Sequence, residues 1–281
     1  TNPNTCGLFE TDIKNIADLI HAAGGYFYCD GANFNAIVGR VRPGDLGVDA
    51  MHINLHKTFS TPHGGGGPGS GPTVLSDALA PFAPVPYVVK DEDGFRLVEE
   101  AEGEAKDAFG RMVAFHGQMG MFVRALAYML SHGADGLKQV AEDAVLNANY
   151  VQARLKSVMT PAFDGFCMHE ALFSDAFTAD NIETIDIAKA LIDEGYHPMT
   201  MYFPLVVHGA MLIEPTETES KAELDRFCDS MLSIAERAKA GDESMKGAPY
   251  LAPMKRLDET KAARKPVLKW LPPEPEAIAA E

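Results

Sequence analysis

Two short apolar segments in the first sixty residues each end on a charged side chain, and this constrains the fold more than any other feature. The segment "YFYCD" ends at Asp30, and "AMHINLH" is followed directly by Lys57. Before them, "ETDIKNIADLIHAAGG" repeats its apolar residues at helical spacing and closes on two glycines, which is typical of a capped amphipathic helix. This alternation indicates a mostly parallel α/β sheet. Asp30 and Lys57 are therefore predicted to meet at its carboxyl edge.

Downstream, the pattern changes to a hairpin, long helices and a mixed segment. "PYVVKDEDGFRLVEE" predicts a hairpin around Asp93-Gly94. The elements predicted after it are long helices at 104–132 and 135–157, a strand near 166–173, a helix at 184–195, a strand at "AMLIEP" and a helix at 218–239. The Pro-rich end of the chain, mixed in charge, predicts an extended wrapping tail with a disordered tip.

These elements predict a large α/β domain followed by a smaller C-terminal α+β domain. The predicted parts are residues 1–100 in the large domain, 101–157 as long connecting helices, 158–245 as the small domain and 246–281 as the extended tail.

Composition excludes several classes of function. The formal net charge of -16 argues against nucleic-acid binding, which rewards clustered basic surface. No apolar stretch approaches the roughly 20 residues of a membrane-spanning helix. The four cysteines form no CxxC pair, so a zinc site is not indicated and reduced thiols are expected. His52 and His56 are four residues apart, but they lie on a predicted strand and loop without a following glutamate, so no metal is expected.

The lysine and the aspartate together predict a pyridoxal phosphate site. That cofactor needs a lysine to bond its aldehyde and a carboxylate to keep its pyridine nitrogen protonated. Lys57 and Asp30 are the predicted pair. Ala32 is small, so the ring could lie flat against the chain there, and the amide of Asn33 could bond the ring hydroxyl. The alternative is that Lys57 and Asp30 are ordinary surface charges at strand ends.

A glycine run follows the lysine within seven residues. "GGGGPGSGP" begins at Gly64 and continues through Gly65, Gly66 and Gly67. No Lys-Ser or Lys-Thr follows it and no helix pattern opens there, so a Walker-type nucleotide site is excluded. Close approach of the backbone to a cofactor, substrate or partner is the favoured interpretation, and a purely structural loop stays open.

Four longer segments resemble one known family. "FYCDGANFNAIVG", "NLHKTF" with "TPHGGGGPGSGP", "GADGLKQVAEDAVLNANYVQARL" and "EPTETESKAELDRFCDSM" resemble the P-protein of the glycine cleavage system, in particular the lysine-bearing subunit 2. The resemblance implies part of a fold-type-I pyridoxal-phosphate domain and an enzyme that decarboxylates glycine. It also implies transfer of the aminomethyl group to the lipoyl arm of the H-protein.

The resemblance also implies roles for single residues. Lys57 would carry the cofactor, with His56 before it as a second catalytic residue. Asp30 would be the pyridinium partner, and Ala32 would pack on the ring. Asn4, with Thr5 as a second candidate, would bond the ring oxygen.

A channel loop and partners are implied as well. His63 and Gly64 to Gly67 resemble a mobile loop beside the channel that admits the lipoyl arm. The expected partners are glycine, the lipoylated H-protein and P-protein subunit 1, in a heterotetramer in the cytoplasm, with neither nucleic acid nor membrane.

Two alternatives remain at this point. Another fold-type-I enzyme, either cysteine desulfurase-like or an amino-acid decarboxylase, would share the "DGA" and "HK" features. A truncated subunit that binds partners without catalysis is the other. The opening "TNPNTCGLFE" resembles the middle of the family's subunit, so we expect further residues before Thr1 and expect residues 1–281 alone to be inactive.

Other conspicuous polar residues are predicted to be structural. The histidines assigned to packing or surface positions are His116, His169, His197 and His208. Glu214 precedes Thr216, which is predicted to cap a helix together with Glu219.

Overall fold

The computed structural model describes residues 1–63, 65, 67–270 and 272. Its helices are α1 (Ile13–Ala22), α2 (Leu55–Thr58), α3 (Met119–Leu155), α4 (Thr184–Asp193), α5 (Lys221–Lys239) and α6 (Glu259–Arg264). Its strands are β1 (Tyr28–Gly31), β2 (Ala50–Ile53), β3 (Thr73–Leu75), β4 (Tyr87–Asp91), β5 (Gly94–Val98), β6 (Thr160–Pro161), β7 (Ala171–Ser174), β8 (Thr200–Met201) and β9 (Met211–Ile213).

The predicted parallel pair is confirmed. β1 and β2 run parallel, with Asp30 opposite His52, and β3 adds to β2 in the antiparallel direction. The second strand is shorter than predicted, because the chain turns at Asn54 into α2, where the backbone N–H groups of Lys57 and Thr58 donate to the Asn54 carbonyl. Lys57 therefore lies on a single helical turn beyond the strand, still at the carboxyl end of β2.

The hairpin is confirmed and the first long helix is corrected. β4 and β5 pair antiparallel, with Asp91 opposite Gly94. The helix predicted from residue 104 begins only at Met119. Gly110 and Gly117 both have φ of 107°, a left-handed conformation that no right-handed helix admits. α3 then runs to Leu155 with a kink at Gly133, so the predicted break is present as a bend within one long element.

The second half of the chain forms an antiparallel sheet packed against three helices. The strand order is β6-β7-β9-β8, with Ala171 opposite Ile213 in the central pair. The C-terminal half of α3, together with α4 and α5, covers this sheet. The fully buried core includes Leu155, Phe173 and Ile187. α5 begins at Lys221 and is capped by Ser220, whose side chain accepts the N–H of Glu223, so the predicted Thr216 cap is wrong.

Acidic residues of α4 hold the tail in the part of the chain that the structure describes. The Asp193 carboxylate accepts the backbone N–H groups of Tyr250 and Leu251. Arg256 donates to the carbonyls of Met245 and Ala248 and to the carboxylate of Asp186. α6 follows, and the predicted disordered tip lies outside the described residues. Among the described helices, none is both long and apolar enough to cross a membrane. The four-part division at residues 100, 157 and 245 stays a prediction.

Candidate active site

A cavity of about 710 Å³ lies at the carboxyl ends of β1 and β2. Five of the predicted site residues line it together: Thr5, Asp30, Ala32, Asn33 and Lys57. The parallel pairing explains this meeting, because it brings the ends of both strands to one edge of the sheet. The amine of Lys57 and the carboxylate of Asp30 thus share one cavity, although the connection between β1 and β2 separates them in the sequence.

The carboxylate of Asp30 is held from two sides. Its Oδ1 accepts the backbone N–H of Ala32 at 2.9 Å and lies 3.2 Å from Nε2 of His52 on the neighbouring strand. Nδ1 of His52 in turn lies 2.6 Å from the hydroxyl of Tyr28. The sequence pattern does not reveal this contact, because His52 stands out there only through its spacing from His56, which is that of a metal-ligand pair. The parallel register, which places residue 30 beside residue 52, was the missing information.

The turn that carries Lys57 is fixed by contacts on both sides. Leu55 and Phe59 are buried against α3, and Nε of Arg124 donates to the Ser60 carbonyl at 2.6 Å. Ser60 lines the cavity and has φ of 54°, an uncommon conformation for a residue with a side chain. The Lys57 side chain is thus presented to the cavity from a rigid support.

Three further predicted residues lie just outside the cavity lining. Oδ1 of Asn4 accepts the backbone N–H groups of Cys6 and Leu8, which leaves its amide NH₂ for other contacts. His56 packs edge-on against His63, with 4.6 Å between ring centroids. Burial lowers the pKa of His56, as do the nearby His63 and Lys57. Their predicted roles stay predictions.

The glycine loop is described in part. Gly64 and Gly66 lie outside the described residues. Gly65 donates its N–H to Nδ1 of His63 at 3.3 Å, and Gly67 is exposed. The cavity lining does not include His63, Gly65 or Gly67, so the channel-loop role also stays a prediction.

The opposite wall contains acidic residues that the sequence pattern does not assign to the site. Glu170, Glu214 and Glu217 line the cavity together with Tyr128 of α3. Glu170 directly precedes β7 and Glu214 directly follows β9, so the second sheet contributes to the same cavity as the first. Glu214 had been interpreted as part of a helix start.

Burial perturbs the protonation of this wall. Burial first, and then the charge of Glu214, raise the pKa of Glu170 to about 8, although Lys57 opposes the shift. His169, 1% exposed, has its pKa lowered to about 4 by burial and by Lys57. Perturbed groups of this kind concentrate at functional sites. The signal in the sequence was "MHEALF", which places a histidine and a glutamate directly before an apolar strand.

The comparison with protein families gives a match to a glycine dehydrogenase model. The model of the glycine dehydrogenase C-terminal domain matches residues 140–249. This stretch covers the C-terminal half of α3 and the second sheet.

The comparison with curated proteins extends to the whole chain. A probable glycine dehydrogenase (decarboxylating) subunit 2 from Caulobacter vibrioides is 72% identical over 285 residues. The alignment covers 100% of this chain and 54% of that protein. The chain thus spans about half the length of the curated relatives it matches.

Solved structures share the fold. A crystal structure of glycine decarboxylase (P-protein) of the glycine cleavage system, in inhibitor-bound form, has a TM-score of 0.69 at 22% identity, covering 83% of this chain and 53% of that one. A cysteine desulfurase from Thermococcus onnurineus has a TM-score of 0.59 at 15% identity, covering 80% and 56%. The fold is thus part of the fold-type-I architecture, as predicted. With 72% identity along its whole length, the chain belongs to the family of glycine dehydrogenase (decarboxylating) subunit 2.

Proposed function

We propose that this chain is the lysine-bearing part of an enzyme that decarboxylates glycine with pyridoxal phosphate and transfers the aminomethyl group to the lipoyl arm of the H-protein. The observation that carries the proposal is the cavity shared by Lys57 and Asp30. Family membership supplies glycine as the substrate, and the acceptor follows from the resemblance to the P-protein.

The residues of the cavity fit pyridoxal phosphate. The chemistry requires one primary amine for the aldehyde and one carboxylate for the pyridine nitrogen, and Lys57 and Asp30 supply this pair in a single cavity. Ala32 adds a small apolar surface between polar neighbours. When bound, the cofactor supplies an electron sink for the carbon that loses carbon dioxide.

The protein's own groups have separable tasks in this mechanism. Nζ of Lys57 is the primary amine that would hold the cofactor's aldehyde. The Asp30 carboxylate would keep a proton on the ring nitrogen of the bound cofactor, and the contacts from Ala32 and His52 hold that carboxylate in place. Asn33 donates its amide N–H to the Pro3 carbonyl at 3.1 Å, which orients its side chain in the cavity lining, where it would bond the ring hydroxyl.

The partners are part of the proposal. The lipoylated H-protein would deliver its arm past the loop that contains His63 and Gly64 to Gly67, and P-protein subunit 1 would complete a heterotetramer. Expulsion of water from such a channel protects a reactive carbanion from protonation.

The test is covalent trapping in the full-length natural protein together with its partner subunit. Borohydride reduction should fix a pyridoxyl group on the peptide that contains Lys57, identified by mass spectrometry. Lys57→Ala should abolish glycine-dependent exchange of carbon dioxide, because the amine is lost. Lys90→Ala, an exposed substitution on the hairpin, serves as the matched control and should keep activity.

Three outcomes would contradict the proposal. Label on another lysine refutes the assignment of Lys57. Release of sulfur from cysteine without exchange on glycine would favour a cysteine desulfurase-like enzyme. If the protein binds the partner subunit stably but shows no turnover, the result would favour a chain that only binds partners.

A further inference from the structure

Two glutamates on the wall of the cavity are brought together by the register of the second sheet. Ala171 pairs with Ile213 across β7 and β9, and the next antiparallel positions outward are Glu170 and Glu214. Side chains opposite each other in such a pair lie on one face, with Cβ atoms roughly 5 Å apart. Carboxylate oxygens of the two glutamates and a ring nitrogen of His169 lie within 4.8 Å of one another.

Glu170 is poorly solvated and incompletely hydrogen-bonded, whereas the side chain of Glu214 is 43% exposed. Glu170 is 8% exposed, and its Oε2 is buried with no hydrogen-bond partner among the described residues. Glu214 accepts one N–H from Asn35 at Oε1, at 3.2 Å. A buried carboxylate such as that of Glu170 does not ionise readily beside a second carboxylate. A proton on one of them removes the repulsion and turns a buried acceptor into a donor.

The groups that face the pair do not cancel its charge. Lys57, from α2, lowers the pKa of both glutamates, but burial outweighs it and raises both. Glu217, beyond β9, adds a smaller upward contribution to the pKa of Glu214. His169, with its lowered pKa, is neutral at physiological pH, and burial raises the pKa of Tyr128. Asp30 lines the same cavity from β1. With its pKa raised to about 8, Glu170 therefore keeps its proton at neutral pH.

We propose that the Glu170–Glu214 pair holds one shared proton and exchanges protons with the amine that enters this cavity. The inference rests on the proposed function for the identity of that amine, glycine. A free amino acid carries an ammonium group at neutral pH, and its nitrogen has no lone pair until a proton leaves. The carboxylate of the pair accepts that proton, so that R–NH₃⁺ and –COO⁻ become R–NH₂ and –COOH.

The balance of the step is complete without another reactant. The glutamate pair passes from one proton to two. The charge of the amine changes from +1 to zero, and the charge of the pair changes from −1 to zero. Nζ of Lys57, once released from the cofactor, can take the proton back, which returns the pair to its starting state. The pair thus connects the two amines that must exchange places in the cavity.

The first test is an infrared pH titration of the full-length natural protein without added cofactor or glycine. A carbonyl band of a protonated carboxyl group should persist at neutral pH and disappear with a midpoint near pH 8. The band should be absent in Glu170→Gln. In Glu214→Gln its midpoint should fall by about one pH unit, because a like charge is lost. Glu236→Gln, at an exposed position of α5, is the control and should leave the band unchanged.

The second test is steady-state exchange of carbon dioxide with glycine by the protein with its partner subunit and cofactor. Glu170→Gln and Glu214→Gln should each lower kcat by about 100-fold while cofactor retention after dialysis stays at the wild-type level. The double variant should be no slower than either single variant, because the two carboxyls act as one unit. Glu236→Gln should keep its activity.

The outcomes separate this inference from the proposed function. Wild-type kcat in both glutamine variants, beside an inactive Lys57→Ala protein, would overturn the proton exchange and leave the proposed function intact. Multiplying losses in the double variant would also overturn it. A stoichiometric metal ion that is lost in His169→Ala, with no carboxyl band, would make the cluster a cation site instead. If the wild type does not act on glycine, the proposed function fails, and the band still reports whether the pair shares a proton.

Discussion

Nε2 of His52 lies 3.2 Å from Oδ1 of Asp30, and the two residues face each other across neighbouring parallel strands. A carboxylate that must keep a cofactor's ring nitrogen protonated has to be held in one orientation. The backbone N–H of Ala32 donates to the same oxygen. Both contacts therefore use Oδ1, and neither uses Oδ2. We therefore expect His52 to be a positioning residue, whose effect on activity follows that of Asp30.

The first prediction tests this support. In the full-length protein with its partner subunit, Asp30→Asn should reduce glycine exchange by several orders of magnitude, because an amide cannot keep the pyridine nitrogen protonated. His52→Phe keeps a ring of similar shape and removes both nitrogens, and it should lower kcat by about tenfold with KM for glycine little changed. Carbon dioxide exchange measures both, and retained cofactor absorbance after dialysis shows that the site still loads.

A second histidine–aspartate pair supplies the control. His208 lies 2.9 Å from Asp175, but its side chain is 92% exposed and lies outside the cavity lining. His208→Phe should leave exchange unchanged. If the His52→Phe variant and the wild type have equal kcat values, Asp30 needs no support from the neighbouring strand.

The second prediction concerns stability as a function of pH. The pKa of Glu170 is raised from 4.5 to about 8, so its contribution to folding is complete below pH 4.5 and is lost as the pH rises through 8. Glu170→Gln removes this dependence. The stability of the variant relative to the wild type should therefore increase between pH 4.5 and 8, by about 3 kcal/mol at pH 7, and then level off.

Thermal unfolding of the natural protein and the variant across this pH range measures the difference. The lowered pKa of His169 also makes stability depend on pH, but this contribution is present in both proteins and cancels in the comparison. Glu236→Gln should run parallel to the wild type at every pH. A constant offset between the Glu170 variant and the wild type would mean that Glu170 titrates normally.

The Lys57 half of the site could be predicted from sequence because its logic is local. A lysine and an aspartate that directly follow apolar segments must lie at strand ends, and parallel strands bring those ends together. The bounds of β2 were less predictable. Asn54 diverts the chain into α2 through two backbone hydrogen bonds, and the apolar pattern of "INLH" does not distinguish this turn from a longer strand.

The acidic half of the site depends on a register that the sequence does not reveal. Glu170 and Glu214 are 44 positions apart in the numbering, and only the pairing of Ala171 with Ile213 places them side by side. "EPTETE" was interpreted locally as a helix cap, whereas Ser220 performs that function. Burial of a glutamate next to a strand is a tertiary property, and single-residue patterns predict an exposed charge there.

The third prediction concerns the contact between the N-terminal turn and the acidic wall. Gly7 has φ of 73°, and a Cβ atom at this position would lie 2.3 Å from the carbonyl oxygen of Glu170. The Gly7 carbonyl also accepts the N–H of Met168 at 2.7 Å. Gly7→Ala should therefore strain the backbone and displace the segment that carries Glu170, lowering the free energy of unfolding by about 3 kcal/mol.

Gly24→Ala is the matched control. Gly24 has a similar φ of 79°, but nothing lies within 4 Å of its added Cβ, so it should cost only about 1 kcal/mol. Urea denaturation of both variants measures the two values. Equal losses would mean that the Glu170 carbonyl moves aside without penalty.

The last prediction concerns Arg256, which connects the C-terminal segment to Asp186 of α4. Its guanidinium contacts Asp186, which is 4% exposed, at 2.6 Å. Asp186 also completes the capping box at the start of α4. Arg256→Met keeps much of the side-chain volume and leaves the Asp186 charge buried with one partner fewer, so the natural protein should lose about 2 kcal/mol of stability. The freed segment should also be cut faster in limited proteolysis near Lys255 and Lys261. Arg264→Met, on the exposed α6, removes the same charge without this contact and should behave as the wild type. Two variants with the same stability and the same cleavage rate would show that the segment is held by something other than the Arg256–Asp186 contact.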